Sequence, residues 1–239
     1  MSENSINQQK QMKKEKKKRE TSLFRDLFEL IAETLVYVFF VITFLVQSFV
    51  IPTGSMQDNI LIGDHILVDK VSYSHSLGFL DRVLLPQTKI KRGMIVTFKS
   101  PAELDKEYVK RVIGLPGERI KIINKKVYIN DKPLDEPYVF HKDPNIEDTY
   151  RDNFPEFNIP KDNYFCMGDN RDKSYDSRYW GPVYKDLIIG KPWRIYWSSK
   201  STTKEYLTPG LWFKIKETFK SILHIFTKTR WERTLKKIE

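Results

Sequence analysis

The longest apolar stretch of the chain is LVYVFFVITFLVQSFVI, Leu35 to Ile51, within a segment from Thr34 to Gln57 that carries no charged residue. Together with the weaker turn before it, which includes Leu30 and Ile31, it amounts to about 20 residues, enough at ~1.5 Å each to cross a hydrocarbon layer of ~30 Å. A buried core helix would show a broader polar face than Thr43, Gln47 and Ser48 supply. A cleaved signal peptide would have a shorter apolar core and a small-x-small alanine site, whereas the only alanines are Ala32 and Ala102. The pattern therefore predicts a single transmembrane anchor over residues 31–51.

Beyond the anchor the period changes to two. HILVDKVSY (His65 to Tyr73), MIVTFKS (Met94 to Ser100), EYVKRVIG (Glu107 to Gly114) and ERIKIINKKVYIN (Glu118 to Asn130) read as strands, the last as a hairpin about Asn124 and Lys125. Further strands are predicted at Asn163 to Met167 and Ile188 to Trp197, with turns at Arg92-Gly93, Leu115-Pro116-Gly117 and Asp131 to Pro133. No helices alternate with these strands, so residues 52–199 are expected to form an all-β antiparallel domain. Phe140 to Pro160 is polar and is expected to be a surface loop. After a hinge, SSKSTTKEYLTPG, the residues Trp212, Ile215, Phe219, Ile222, Leu223 and Phe226 recur at steps of three and four, opposite Lys214, Lys216, Lys220 and Lys228. This predicts a basic amphipathic helix within 200–239, lying either on anionic lipid or against the β domain.

Charge fixes an orientation for this plan. The chain has 41 Lys and Arg against 31 Asp and Glu, a net +10, and Lys10, Lys13, Lys14, Lys16, Lys17, Lys18 and Arg19 crowd the start. Residues 1–30 form a basic tail with little to bury, and a basic block before an anchor predicts a cytoplasmic N-terminus with everything after Ile51 on the far side. Membrane lipid, not nucleic acid, is the partner this arrangement favours. The single cysteine, Cys166 in YFCMG, excludes an intrachain disulfide and reads as a small core residue. Trp180, Trp193 and Trp197 suit either a membrane interface or the core.

Candidate chemistry starts at PTGSM, Pro52 to Met56, directly after the anchor, where Ser55 is at most ~14 Å of extended chain from Ile51. Taken alone, a serine in such a place is a turn residue, and as a nucleophile it needs a base. The histidines, His65, His75, His141 and His224, show no recognisable triad arrangement. A lysine serves only if burial among apolar groups keeps it neutral. Lys110, flanked by Val109, Val112 and Ile113, has such a setting; Arg111 would point to the opposite face, so that one of the pair is inward. A third cluster, GDNRDKSYDSR from Gly168 to Arg178, interleaves acids with arginines, which suits internal ion pairs better than a metal site.

PTGSM after an anchor, LIGDHILVDK (Leu61 to Lys70), KRGMIVTF (Lys91 to Phe98), YVKRVIGLPGE (Tyr108 to Glu118) and GDNRDKSYDSRYWG (Gly168 to Gly181) together resemble the bacterial type I signal peptidases, the leader peptidase family. The resemblance runs from about Phe49 to Trp197 and rests on five ordered blocks. It implies a membrane-bound serine endopeptidase that removes signal peptides from exported preproteins, with Ser55 as nucleophile and Lys110 as general base. The Thr53 hydroxyl and the Ser55 N–H would form the oxyanion hole, Ser174 would orient the Lys110 amine, and Asp169, Arg171, Asp176, Arg178 and Arg111 would support the site. Lys173 and Met94 depart from the family pattern at positions outside catalysis, and the tail after Trp197 has no counterpart in it. The resemblance also implies no cofactor or metal, substrates with an A-x-A signal-peptide motif, and single-pass residence in the bacterial plasma membrane with the catalytic domain outside. Three rivals are a peptidase using His65 as base, a catalytically silent membrane-anchored scaffold, and a self-cleaving repressor relative, the last lacking the DNA-binding domain it would need.

Overall fold

The computed structural model describes residues 23–41, 45–71, 73, 88–208, 210, 212 and 224–238. Up to Leu45 the chain forms one unit, and Val46 onward forms another. In the first unit residues 23–40 are helical, with Phe24, Phe28, Leu35, Val36, Tyr37 and Phe39 exposed. Arg25, Asp26, Glu29 and Glu33 lie in this helix, and no helix among the described residues is long and apolar enough to cross a membrane.

The anchor expected over 31–51 is therefore not one helix. Its last residues form strand β1, Val46–Val50, paired antiparallel with β2, Asp64–Asp69, so that Val46 faces Asp69 and Val50 faces His65. Val46, Phe49 and Val50 are β-branched or aromatic, and β2 supplies the strand to pair with. The β unit thus begins at Val46 and not at residue 52.

Seven strands make the larger sheet, in the order β1-β2-β11-β3-β4-β9-β10, and every pairing is antiparallel. The central members are β3 (Ile95–Lys99), β4 (Glu107–Gly114), β9 (Asn163–Met167) and β11 (Ile188–Ser198), with the short β10 (Val183–Tyr184) at the edge. A four-stranded sheet, β7-β6-β5-β8, is built from β5 (Arg119–Ile123), β6 (Lys126–Ile129), β7 (Lys132–Pro133) and β8 (Phe154–Asn158). The β5–β6 hairpin turns on Asn124 and Lys125, both at positive φ (48° and 69°), as a two-residue primed turn requires. β8 lies inside the segment expected to be a loop. Pro155 removes a donor from it, which is tolerated because β8 is the edge strand.

Three buried clusters organise the unit. Ile113, Phe165 and Met167 of the large sheet meet Ile120, Ile122, Val127 and Ile129 of the small one. Val96, Phe98, Val112, Cys166, Val183 and Ile188 pack on the other face, with Cys166 fully buried. Ile51, Met56, Ile60, Ile66, Val68 and Ile195 enclose the loop between β1 and β2, and Ile238 joins them. Trp180 lies against Phe98 with ring centroids 5.7 Å apart, while Trp193 is 40% exposed.

Most of the amphipathic helix expected within 200–239, including Ile215, Phe219, Ile222 and Leu223, lies outside the described residues. Short helices occupy Thr203–Leu207 and Ile225–Lys228, with Trp212 and Phe226 exposed. From Thr229 the chain is not a helix continuing to the end; it runs back along β11, bridging Ser199 to Thr229 and Arg194 to Lys237.

β11 can lie against both β2 and β3 because Gly190 has no side chain: a Cβ there would sit 2.1 Å from the carbonyl oxygen of Asp69. Gly190→Ala is expected to destabilise the β unit by about 3 kcal/mol through forced backbone displacement. Equilibrium urea unfolding should report this as a lower midpoint at unchanged slope.

Candidate active site

β4 carries Tyr108, Lys110 and Val112 on one face and Val109, Arg111 and Ile113 on the other. Both faces are covered here, so Lys110 and Arg111 are both buried, 4% and 5% exposed, where alternation had suggested that only one would be inward. The two cations meet different surroundings. Arg111 donates from Nε and Nη2 to the Asp169 carboxylate at 2.8 and 2.7 Å, from Nη1 to Gly93 O at 2.6 Å, and stacks 4.1 Å from the Tyr138 ring centre. Among the described residues no carboxylate is bonded to Lys110; Nζ donates to Ser55 Oγ at 2.6 Å and lies 5.6 Å from the centre of the Tyr108 ring.

Burial is the main cause that lowers the Lys110 pKa from its ordinary value to about 8, and the Arg178 guanidinium adds to the shift while Asp176 opposes it. The same burial pushes the Cys166 thiol up, removing it as a nucleophile. A neutral amine 2.6 Å from a hydroxyl has the lone pair needed to take its proton.

Ser55 itself is 8% exposed, in the loop that joins β1 to β2. That loop is pinned from the GDN segment: Asn170 donates from its backbone to Ser55 O at 3.1 Å and from Nδ2 to Gly54 O at 3.2 Å. Asn59 Nδ2 donates to Asp169 Oδ2 at 2.7 Å. The approach requires Gly168, where a Cβ would fall 2.5 Å from Ser55 O and 2.3 Å from Ser174 Oγ. Thr53 is exposed and lines a cleft of about 400 Å³ together with Phe49, Ile51, Ser55, Tyr108 and Lys110.

Behind the cleft the remaining charged residues neutralise one another. Arg178 donates from Nε and Nη2 to Asp176, both at 2.8 Å, and also to the carbonyls of Arg151 (2.7 Å) and Arg171 (2.8 Å). Asp176 further accepts from Gly168 N at 3.0 Å. Burial alone would raise the Asp176 pKa, but Arg178 and these hydrogen bonds hold it below the usual carboxylate value. Arg171 donates to Gly168 O at 3.2 Å and forks onto the Glu136 carboxylate.

Ser174 is buried, and its Oγ is near enough to Asp176 to favour that carboxylate's charge, yet it makes no well-directed hydrogen bond. The orienting bond to Lys110 that the resemblance implies is thus not formed in this conformation. His65 is engaged elsewhere: its ring lies 4.5 Å from Trp197 and 5.7 Å from Tyr196, centre to centre, and burial lowers its pKa.

Three residues of this arrangement escaped the reading of the sequence. Asn170 stands inside the GDN motif, and its position there was an available signal. Asn59 and Glu136 carried none, because their partners lie 110 and 35 residues away.

Removing the Asp176 carboxylate leaves a fully desolvated guanidinium. Asp176→Ala is expected to cost about 3–5 kcal/mol in urea unfolding, and combining it with Arg178→Leu to cost less than the sum of the single changes.

A family model described as signal peptidase, peptidase S26, matches residues 24–197. Signal peptidase I of Pseudomonas aeruginosa is 33% identical over 188 residues, which span 65% of this chain and 66% of that protein. Signal peptidase I of Rickettsia typhi is 34% identical over 196 residues, 66% of this chain and 74% of the relative. The crystal structure of a signal peptidase I from Enterococcus faecalis V583 has 32% identity and covers 44% of this chain and 97% of its own, at a TM-score of 0.36, too low for the superposition to bear on the fold.

Proposed function

The chain belongs to the signal peptidase family of S26 peptidases, and on that premise we propose that it is a serine endopeptidase that removes signal peptides from exported preproteins, with Ser55 as nucleophile and Lys110 as general base. The observation that carries this reading is the 2.6 Å contact between Ser55 Oγ and a buried lysine whose pKa is lowered to about 8.

In the proposed reaction Lys110 takes the Ser55 proton as Oγ attacks the scissile carbonyl. The resulting oxyanion is met by the Ser55 N–H and the Thr53 hydroxyl. Collapse gives an acyl-enzyme on Ser55 and releases the mature chain, whose new amine receives the proton held by Lys110. A water, deprotonated in turn by Lys110, attacks the acyl carbonyl, and the acyl–Oγ bond breaks as Lys110 returns the proton to Ser55, freeing the signal peptide. No metal or cofactor takes part in this scheme. Ser174 is the second hydroxyl assigned to the site, available to steady the lysine as it becomes an ammonium. Asp169, Arg111, Asp176, Arg178 and Arg171 act through the fixed positions of Lys110 and of the loop bearing Ser55.

An extended substrate fits the cleft between β1 and the first half of β4. Among the described residues Glu107 to Lys110 pair only with β3, since β9 pairs with β4 from Arg111 onward, which leaves their other edge to receive a peptide strand. Small side chains at the first and third positions before the cut, the A-x-A pattern, would lie in this cleft beside Tyr108, Ile51 and Phe49.

Membrane association is part of the proposal. Helix 23–40 leaves its apolar side chains exposed, an arrangement unfavourable in water and favourable in lipid. The basic block ahead of it would set the N-terminus on the cytoplasmic side of a bacterial plasma membrane, leaving the catalytic domain outside.

Ser55→Ala and Lys110→Ala should each abolish cleavage of a preprotein by detergent-solubilised protein; substantial activity in Lys110→Ala would return the role of base to His65, and full activity in both would end the mechanism.

Because a lowered lysine pKa means that the neutral amine becomes abundant only as pH rises, kcat/KM is expected to climb with pH and level off above about 8. Thr53→Ala should lower kcat by about 100-fold or more while the protein remains folded by circular dichroism.

A further inference from the structure

The segment 229–238 extends the β unit beyond the blocks that carried the resemblance. Its backbone is bonded to β11 at several points: Arg230 N to Ser198 O (2.8 Å), Ile195 N to Lys236 O (2.9 Å), Leu235 N to Ile195 O (2.7 Å) and Ile238 N to Trp193 O (3.0 Å). Trp197 Nε1 also donates to Thr229 Oγ1 at 3.0 Å, and Ile238, 5% exposed, enters the cluster that holds Met56 and Ile60.

Between these attachments a single 3-10 turn, Trp231–Arg233, delivers Arg233 to the loop that bears Ser55. Arg233 donates from Nη2 to Asn59 O at 3.0 Å and to Asp64 Oδ2 at 2.6 Å, and from Nε to Asp64 Oδ1 at 3.3 Å. Asp64 is fully buried at the start of β2 and accepts also from Ser198 Oγ (2.6 Å) and Leu61 N (2.8 Å). Arg230 Nη2 donates to the carbonyls of Ile62 and Ser199, both at 2.6 Å.

The loop is thereby gripped from two sides. Asn170 holds the carbonyls of Gly54 and Ser55, and Asp169 holds the Asn59 amide. The carbonyls of Asn59 and Ile62 are held from the C-terminal segment. Asn59 is the link, with its carbonyl on Arg233 and its side chain on the carboxylate that also pairs with Arg111, the neighbour of Lys110.

We infer that residues 229–238 form a clasp in which Arg233 is a positioning residue, holding the Ser55 loop at the distance from Lys110 that proton transfer needs. Arg233 touches no reacting atom; it acts through Asn59 and Asp64. This role rests on the peptidase reading above. Reaction rates fall steeply with small misplacement of reacting groups, so slackening this end of the loop affects kcat before it affects binding of an extended peptide along β4.

The test compares full-length wild type with Arg233→Ala, Arg233→Lys and, as a control on the same turn, Trp231→Ala, using a purified preprotein. Arg233→Ala is expected to lower kcat by about 10- to 100-fold with KM within roughly twofold and with the pH at which activity levels off unchanged. Arg233→Lys, which keeps the charge but not the fork, should fall in between, and Trp231→Ala should match wild type. Wild-type kcat per folded molecule in Arg233→Ala would overturn the clasp, and so would a loss confined to thermal stability. If Arg233→Ala does not fold, Arg233→Lys carries the same comparison.

Hydrogen exchange reads the clasp without the reaction. Amides from Met56 to Gly63 should exchange faster in either Arg233 variant while those of β3 and β4 stay protected. Unchanged exchange in that loop counts against the clasp whatever the preprotein assay gives. Failure of the wild type to cleave, with exchange accelerated in the variants, counts against the peptidase reading alone.

Discussion

Two consecutive cations buried in one strand, Lys110 and Arg111, set the terms for the whole β unit. A charge withdrawn from water must be compensated or given up. Arg111 is compensated by the bidentate Asp169, the Gly93 carbonyl and the Tyr138 ring, and it remains charged. Lys110 receives a hydroxyl and an aromatic face but no carboxylate bonded to it, and its amine shifts toward the neutral form. The difference between neighbours arises from strand alternation, which turns one toward Asp169 and the other toward Ser55.

For Lys110 to stay uncompensated, the carboxylates nearby must be occupied. Asp176 is taken by Arg178 and Asp169 by Arg111, while Arg171 is held by Glu136. The ion pairs behind the cleft are therefore more than a support. They leave burial as the main influence on the lysine's pKa, and the Gly168 and Arg171 carbonyls that Arg171 and Arg178 bind fix the path of the loop from Gly168 to Arg178. Gly168 completes the arrangement by letting that loop approach the backbone of Ser55 closely enough for Asn170 to bond it.

The Ser55 loop has little regular structure of its own, so its shape is imposed by neighbours. β1 and β2 hold its ends, the GDN segment and the C-terminal segment hold its middle, and Met56 and Ile60 tie it into the core. The Ser55 hydroxyl is thus carried by a loop but fixed by the sheet on which that loop is folded. β1 also explains why the apolar run continues so far: part of it belongs to the β unit, with Val46–Val50 hydrogen-bonded to β2.

The strands at Glu107–Gly114 and Asn163–Met167 and the hairpin about Asn124 and Lys125 could be read directly from the chain, because period two and turn chemistry are local properties. The blocks around Ser55, Lys110 and Gly168 to Arg178, which the fold brings together, stood out for a similar reason, as short ordered motifs. Val46–Val50 was not, since a short apolar run suits a strand as well as a helix until a pairing partner is known. Pro155 hid β8, whose lost donor matters only if the strand is not at an edge. That Lys110 and Arg111 are both buried, that Asn59 spans Asp169 and Arg233, and that residues 229–238 return to β11 depend on residues far apart in sequence. The sequence alone determined which residues were candidates for chemistry; burial and hydrogen-bond partners, which exist only once distant segments pack together, decided which cation has its pKa lowered and what holds the serine in place.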